Sequence, residues 1–388
     1  MTKIERVAAD VFLSQLYAQD CPDAVLLTEY PSSNSSATRL LNSSKYIIHD
    51  PAPPPRRELL KVLGPHHLMW AWGQHIPVCS EVPPPQALLD HWQRMLGEQA
   101  VPRWRTLEDN VQYITVFPHQ SLPENSQVIA PEGYYALHSK EVIEKIDCPQ
   151  AAVLDEIAVP CLLKLTHGYA GLSNFLLRES AEADDVLADL QEKWNNATYV
   201  INSIIDGIET DFGVQFYLKK SGAVVWLGFT EQRFDENGKW SGGCFSAEAQ
   251  EASFDDLTKM IGPAAEYLHS EGYFGVVGID VVTNDAGQQF LVDVNPRLTG
   301  ITPFLMASRM FAADGLAEGI YLASFKYKGP LNQLIAKAES FTRSESPARV
   351  VVLSAFEEPT GDTTICHLSV TSDSQRRNQE VLSQMEMS

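Results

Sequence analysis

The sequence predicts a mixed α/β (α+β) protein of several domains, and three observations carry that prediction. Short β-prone apolar runs alternate with helix-periodic segments through the first third. Longer strands separated by glycine-bearing turns follow, with helical periodicity between them. A chain of 388 residues, 44% hydrophobic and 20% charged, can build two or three cores and is too apolar for wholesale disorder.

Taken in order, residues 1–16 lack a long apolar run and read as an amphipathic helix, not a signal peptide. Strands are expected at 24–27, 46–48 and 112–117, and a helix at 87–96. Proline clusters at 51–55 and 83–85 mark exposed connections. The segment HHLMWAWGQH (66–75) reads as an aromatic packing patch, since no acid or cysteine stands at a metal-ligand spacing from its histidines. From Gly133 onward come a helix-like stretch at 139–146, a strand at 159–165, a glycine loop and a helix at 183–194. Strands follow at 198–205, 212–218 and 224–232, then the glycine-rich KWSGGCF (239–245) and a helix at 254–271. The final segment holds strands at 348–356 and 364–370, and a polar end (372–388) read as a frayed helix or tail.

Charge excludes whole classes of partner. Acids outnumber bases 50 to 29, a formal charge of −21, so DNA, RNA and anionic membranes are repelled. No apolar run reaches the roughly 18 residues of a membrane span. Six scattered cysteines without a CxxC spacing read as reduced, mostly buried thiols of a cytoplasmic protein.

The most informative stretch is VVGIDVVTNDAGQQFLVDVNPRLTG (276–300). The turn-like NDAG separates two apolar runs and predicts a hairpin. A four-residue loop at 285–288 pairs Asn284 with Gln289 and so sets Asp280 opposite Asp293. Period-two alternation then puts Leu291, Asp293 and Asn295 on one face. Two carboxylates and an amide converging in a buried sheet call for a cation, and oxygen-only ligands suit Mg²⁺ or Mn²⁺ rather than zinc. A solvent-facing acid pair at a strand end gives the same pattern. The continuation NPRLTG favours the metal, because proline ends the strand and Arg297 supplies a cation beside it. Upstream, Lys164 lies in an apolar strand just before THGYAG (166–171), a loop able to turn backbone amides toward a phosphate. A plain surface turn fits that loop equally, and it is no Walker A motif.

In this order Lys140, Lys164 with its glycine loop, IIDGIETDFGV, GID and DVNPR resemble the landmarks of the ATP-grasp superfamily. They are most similar to its carboxylate–amine ligases, the D-alanine–D-alanine, amino-acid and peptide ligases. The resemblance spans about 133–323. It implies an N-terminal Rossmann-like pre-ATP-grasp domain (1–132), a small lid subdomain (133–205), a large subdomain with the metal site (206–325) and a C-terminal β-containing segment (326–388). It further implies that Lys140 and Lys164 contact ATP phosphates under a closing loop containing Thr166, Gly168 and Gly171; Lys145, near Lys140, is the alternative lysine. Asn202 to Ile205 would line adenine, although the family often has an acid near Asn202. Glu209 would hold the ribose, and Asp280, Asp293 and Asn295 would ligate Mg²⁺, with Asp293 standing where the family more often has Glu.

Arg297 would stabilise the transferred phosphoryl group. Arg233, Ser241 and Gly242 fall where such ligases bind or cover the carboxylate; a surface ion pair and a plain hairpin loop are their bland alternatives. The implied reaction is amide formation through an acyl phosphate from a small-molecule acid and amine, with ATP and Mg²⁺ as cofactors. A small-molecule kinase and a non-catalytic ATP sensor are the competing readings. A homodimer is compatible with the family.

Overall fold

Long alternating apolar runs in the second half of the chain fold into one large, mostly antiparallel sheet, and short runs in the first third fold into a small parallel one. The coordinates are a computed structural model, which describes residues 3–31, 40–49, 54–108, 110–169, 173–192, 194, 197–236, 238–343 and 347–386.

The first third contains β1 (Ile4–Arg6), α1 (Leu13–Asp20), β2 (Val25–Leu27), β3 (Leu40–Leu41), β4 (Ile48–His49), α2 (Pro54–Met69), β5 (Val78–Cys79), α3 (Gln86–Leu96), β6 (Tyr113–Ile114) and α4 (Pro131–Leu137). Strands β5, β2 and β6 form the parallel sheet in that order. The aromatic segment packs as expected, with Trp70 and Trp72 fully buried. The indole of Trp72 donates to the Ile76 carbonyl (2.8 Å), which satisfies its polar edge inside the core.

A three-stranded antiparallel sheet comes next, built from β7 (Cys161–Leu165), β8 (Asn174–Leu177) and β9 (Tyr199–Ser203) in the order β8-β7-β9, with α5 (Ser180–Glu192) packed on it. The large sheet follows: β10 (Ile208–Leu218), β11 (Val224–Phe234), β12 (Trp240–Ser246), α6 (Ala247–Ala252), α7 (Phe254–Ser270), β13 (Gly275–Asn284), β14 (Gln289–Asn295), α8 (Thr302–Ala313) and β15 (Glu318–Lys328). The chain ends with α9 (Leu331–Ser340), β16 (Arg349–Glu357), β17 (Thr363–Ser372) and α10 (Gln375–Glu386). The strand order is β14-β13-β10-β11-β12-β15-β17-β16. Strand β15 runs unbroken across residue 325, so the C-terminal strands extend the same sheet.

Helix α7 shows how the sequence builds one layer. Its Leu257, Met260, Ile261, Ala264, Ala265 and Leu268 recur at helical spacing and bury one stripe. That stripe covers Val214, Phe216, Val277, Ile279 and Val281, the alternate residues of β10 and β13. The opposite faces of those two strands carry Asp211, Gln215 and Asp280, and the candidate site forms there.

Four expectations change. Residues 1–16 are not one helix: β1 pairs in parallel with Val224–Trp226 of β11, an edge that β12 leaves open because it pairs only with Glu231 to Phe234. The glycine-rich segment after Lys239, read as a carboxylate-covering segment or a plain hairpin loop, is strand β12. Its glycines permit close packing, since a Cβ on Gly242 (φ +148°) would stand 1.9 Å from the Tyr321 carbonyl oxygen. The polar end is docked: α10 buries Val381, Leu382 and Met385, and the Asn378 amide donates to the Glu318 carbonyl (3.0 Å). Of the first proline cluster, Pro54 opens α2, while residues 51–53 lie outside the described residues.

Among the described residues all six cysteines are free, four of them buried. No described helix is long and apolar enough to cross a membrane.

Candidate functional site

The hairpin of β13 and β14 sets Asp280 opposite Asp293, as the sequence predicts, but by a different route. At the turn the pair is Thr283 with Gln289, one residue out of the expected register, and a bulge at Val292 restores it before Asp293. The bulge also moves Leu291 off the acid face. Leu291 packs with Val294 and Ile279 in the apolar layer, because the extra residue breaks period-two alternation between 291 and 293. Asp293 and Asn295 remain together: the Asn295 amide donates to Asp293 Oδ2 (3.4 Å).

Both lysines converge on this hairpin. Lys140 opens a 3₁₀ turn, Lys140–Lys145, capped by Ser139, whose Oγ accepts from the Glu141 amide (3.2 Å). Its own amide donates to the Thr166 carbonyl at the end of β7 (2.8 Å), and its Nζ donates to both oxygens of Asp293 at 2.6 Å. Lys145 is exposed on the outer side of the turn, so Lys140 is the lysine of the cluster. Lys164 is 7% exposed and its Nζ donates to the carbonyl of the bulged Val292 (2.9 Å). Burial lowers the Lys164 pKa, with Lys140 adding to the effect and Asp293 and Asp280 opposing it.

Arg297 follows at the strand end. It donates to Asn295 Oδ1 (2.9 Å), and its guanidinium carbon lies 5.1 Å from the Phe117 ring centre and 5.7 Å from that of Tyr169. Tyr30 meets both of those rings edge-on. These aromatics form a wall where the parallel sheet of the first third faces the hairpin.

The sequence reading missed Asp211 and Gln232. Gln232 donates to Asp211 Oδ1 and to Asp280 Oδ1, both at 3.0 Å. It reaches across β10 over Gly213, which stands opposite Asp280 and has no side chain in the way. The signal was present in DFGVQF: Asp211, Gly213 and Gln215 alternate with the apolar Phe212, Val214 and Phe216, so one face of β10 is polar.

The two central acids are held at opposite ends of the titration range. The Asp280 carboxyl is pushed well above the ordinary range, first by burial and then by the charges of Asp293 and Asp211. Burial acts to raise Asp293 too, but Lys140, Lys164 and Arg297 outweigh it and hold that group low. A buried carboxyl raised by burial and by a second carboxylate opposite it is an arrangement that a divalent cation would relieve. Two carboxylates and one amide oxygen suit a hard cation that takes its remaining ligands from phosphate and water. The donor set fits Mg²⁺. Among the described residues no group of three or more His, Cys, Asp or Glu stands together as a metal cage.

Asp211 carries a pH prediction. Burial pushes its carboxyl up to about 6, with the Gln232 hydrogen bond opposing. A carboxyl whose folded pKa exceeds its unfolded value stabilises the fold below the unfolded pKa, near 4, and that contribution is lost as pH rises through the folded pKa. Asp211→Asn therefore gains stability over the natural chain as pH rises from about 4 to about 7. Melting temperatures of the two metal-free proteins across that range check it; a difference that stays constant contradicts it.

The remaining predicted residues are spread more widely. The Thr166 carbonyl holds Lys140, while its hydroxyl is buried without a partner among the described residues. Gly168 bridges to His49 of β4, and a Cβ there would stand 1.8 Å from Ser173 Oγ. Gly171 lies outside the described residues. Asn202 pairs with Leu162 on β9, Ile205 sits in the link from β9 to β10, and Glu209 is exposed at the start of β10, apart from the cluster. Arg233 pairs with Gly242 across β11 and β12, has no carboxylate partner among the described residues, and accepts the Ser241 hydroxyl on its backbone carbonyl (3.2 Å). Gly242 is buried within the sheet, which removes it as a covering loop over a substrate.

Comparison with known proteins places part of the chain beside one family and the fold beside solved structures. Residues 139–295 match the family described as "L-aspartate--L-methionine ligase, ATP grasp". A curated relative, the [butirosin acyl-carrier protein]–L-glutamate ligase of Niallia circulans, is 26% identical over 149 residues, covering 37% of this chain and 34% of that protein. The aligned part thus spans about a third of that relative's length. Among solved structures, N5-carboxyaminoimidazole synthetase from Staphylococcus aureus superposes with a TM-score of 0.55 at 8% identity, over 98% of this chain and 100% of that one. N5-carboxyaminoimidazole ribonucleotide synthetase from Thermus thermophilus gives 0.51 at 12% identity, over 80% and 92%. At these identities the likeness shows a shared fold.

Proposed function

Because residues 139–295 match an ATP-grasp ligase family, we propose that this chain is an ATP-dependent carboxylate–amine ligase, joining an acid to an amine with release of ADP and phosphate. The observation that carries the reading is the single cluster in which Asp280 and Asp293 face each other among Lys140, Lys164 and Arg297. It turns a strongly acidic chain into a local site for a polyphosphate.

Asp280, Asp293 and Asn295 would hold Mg²⁺, with Mn²⁺ an equivalent. When bound, the ion neutralises triphosphate charge and polarises the transferred phosphoryl group. Lys140 gives up its hold on Asp293 and takes a phosphate oxygen. Lys164, with one of its three N–H donors spent on Val292, turns the others to phosphate. Asn202 to Ile205, at the end of β9 and in the link to β10, would lie against adenine, Glu209 would hold the ribose, and the loop with Thr166, Gly168 and Gly171 would cover the phosphates. Arg297, oriented by Asn295 and the aromatic wall, meets the oxygens of the transferred phosphoryl group. Arg233 and Ser241 flank the acid.

The chemistry then balances in two steps. A carboxylate oxygen of the acid attacks the γ-phosphorus and ADP leaves. The amine nitrogen attacks the acyl carbon, loses a proton and expels phosphate. Positioning and charge neutralisation supply the catalysis, and no covalent protein nucleophile is needed. The matched family and the curated relative are both named for amino-acid substrates, and we extend that class to this chain's acid or amine. Residues 1–132 would form the pre-ATP-grasp domain and shape the substrate side, with 133–205 as the lid and 206–325 as the metal-bearing subdomain.

Incubation with Mg·ATP and a panel of amino acids, singly and in pairs, tests the reading. The expected result is ADP and phosphate only when an acid and an amine are both present. ADP with a stable phosphorylated product from a single substrate would show a kinase instead, and no ADP under any pairing would show a sensor.

A further inference from the structure

Outside the cluster, one polar contact joins the first third of the chain to the loop that follows Arg297. His67 on α2 is 2% exposed, and its Nε2–H donates to the carbonyl of Gly300. A carbonyl only accepts, so this bond fixes the proton on Nε2 and leaves Nδ1 as an acceptor. Nδ1 is itself buried and has no partner among the described residues. Burial lowers the imidazole pKa to about 4, which keeps this single-donor state through the neutral range. Burying a nitrogen unpaired carries a cost that an apolar side chain of similar volume avoids.

The ring is held from the C-terminal half of the sheet. Tyr321 of β15 stacks on it at 5.3 Å between centres and 22° between planes, and His367 of β17 meets it edge-on at 4.8 Å. Tyr321 Oη and His367 Nδ1 stand 3.2 Å apart, which locks the two supports to each other. Trp240 of β12 covers Gly300 from the other side, its Cη2 lying 3.2 Å from where a Cβ would be.

One residue earlier the same loop is tied to the large sheet. The Thr299 amide donates to Thr302 Oγ1 (3.0 Å), which donates to Gln215 Oε1 (2.7 Å). The short loop that starts at Arg297 is therefore pinned at Thr299 by β10 and at Gly300 by α2. Of these two anchors, only the second connects the loop to the first third and the C-terminal strands.

We propose that His67 is a positioning residue for Arg297: by holding the Gly300 carbonyl it fixes residues 297–300 and keeps the guanidinium against Phe117 and Tyr169. The positioning stands on geometry alone, and only its consequence for turnover rests on the ligase reading. A displacement of about 1 Å at a reacting group costs on the order of 100-fold in rate. His67 thus acts on the reaction without touching substrate, and it couples the C-terminal strands to the site.

The test compares His67→Met, which keeps volume and removes the donor, with His67→Gln, whose amide N–H restores it. Hydrogen-exchange mass spectrometry on peptides covering residues 296–305 reads the positioning without substrate. The expected result is faster exchange there in His67→Met and near-natural exchange in His67→Gln. Binding of Mg·AMPPNP, a non-hydrolysable ATP analogue, is expected to be unchanged in both. With an active acid–amine pair, ADP formation at saturating ATP falls about 10- to 100-fold in His67→Met with little change in the KM for ATP, and His67→Gln recovers most of it.

Equal exchange in the two variants, or equal turnover, would overturn the proposal. Should His67→Met fail to bind the analogue, the unmutated chain decides. Long-range ¹H–¹⁵N correlation must show the imidazole protonated at Nε2 alone from about pH 6 to pH 8, and a proton on Nδ1 overturns it. Failure of the ligase reading looks different, because it leaves the exchange pattern intact while no acid–amine pair yields ADP.

Discussion

Replacing Asp293 with asparagine lowers ADP formation on the order of 100- to 1,000-fold. The substitution keeps the shape and removes one charge, yet that charge is where the site converges. Lys140 spans both of its oxygens at 2.6 Å, and Lys164 and Arg297 hold it ionised against burial. Asparagine leaves these cations without their common anion and leaves the candidate cation site with a single carboxylate, Asp280. The variant is expected to need far more Mg²⁺ for any residual turnover. A coupled ADP assay over a range of Mg²⁺ concentrations checks this, and wild-type rates would remove Asp293 from the site.

Lys164→Met has the second largest effect, a loss in kcat/KM for ATP on the order of 100-fold. Lys164 lies in the apolar run of β7 between the buried Leu163 and Leu165, so an unbranched methionine fits its path. What disappears is the cation and its bond to the Val292 bulge. The fold is expected to hold, because the charge already carries a desolvation cost that methionine avoids. An unchanged melting temperature with weakened ATP use is the expected pair of results. Unchanged ATP use would place Lys164 in a structural role only.

The acid hairpin was legible in the sequence because a turn signal and period-two alternation fix which residues oppose each other. Its route was not. The Val292 bulge leaves no mark in the run QFLVDVN, and it both supplies a carbonyl to Lys164 and turns Leu291 into the core. Asp211 was legible in principle as one of three polar alternates on β10, but Glu209 carries the more obvious charge two residues earlier and is exposed. Strand β12 was misread because glycine marks both loops and close strand contacts, and only the approach of Tyr321 to Gly242 tells them apart. Strand β1 and helix α10 depend on partners more than 200 and about 60 residues away, Val224 to Trp226 and Glu318, which local pattern does not encode. The anchoring of Gly300 by His67 is of the same kind, since it joins positions 233 residues apart.

In the ligase reading this cluster activates a carboxylate by phosphorylation and passes the acyl group to an amine. This is tested most directly by supplying amino-acid acids labelled with ¹⁸O in both carboxylate oxygens, together with Mg·ATP and an amine, and analysing the products by mass spectrometry. The expected product is an amide that retains one labelled oxygen, with the other carried away in the released phosphate. Label confined to an uncoupled phosphorylated product, or ADP release without any label in phosphate, would contradict it.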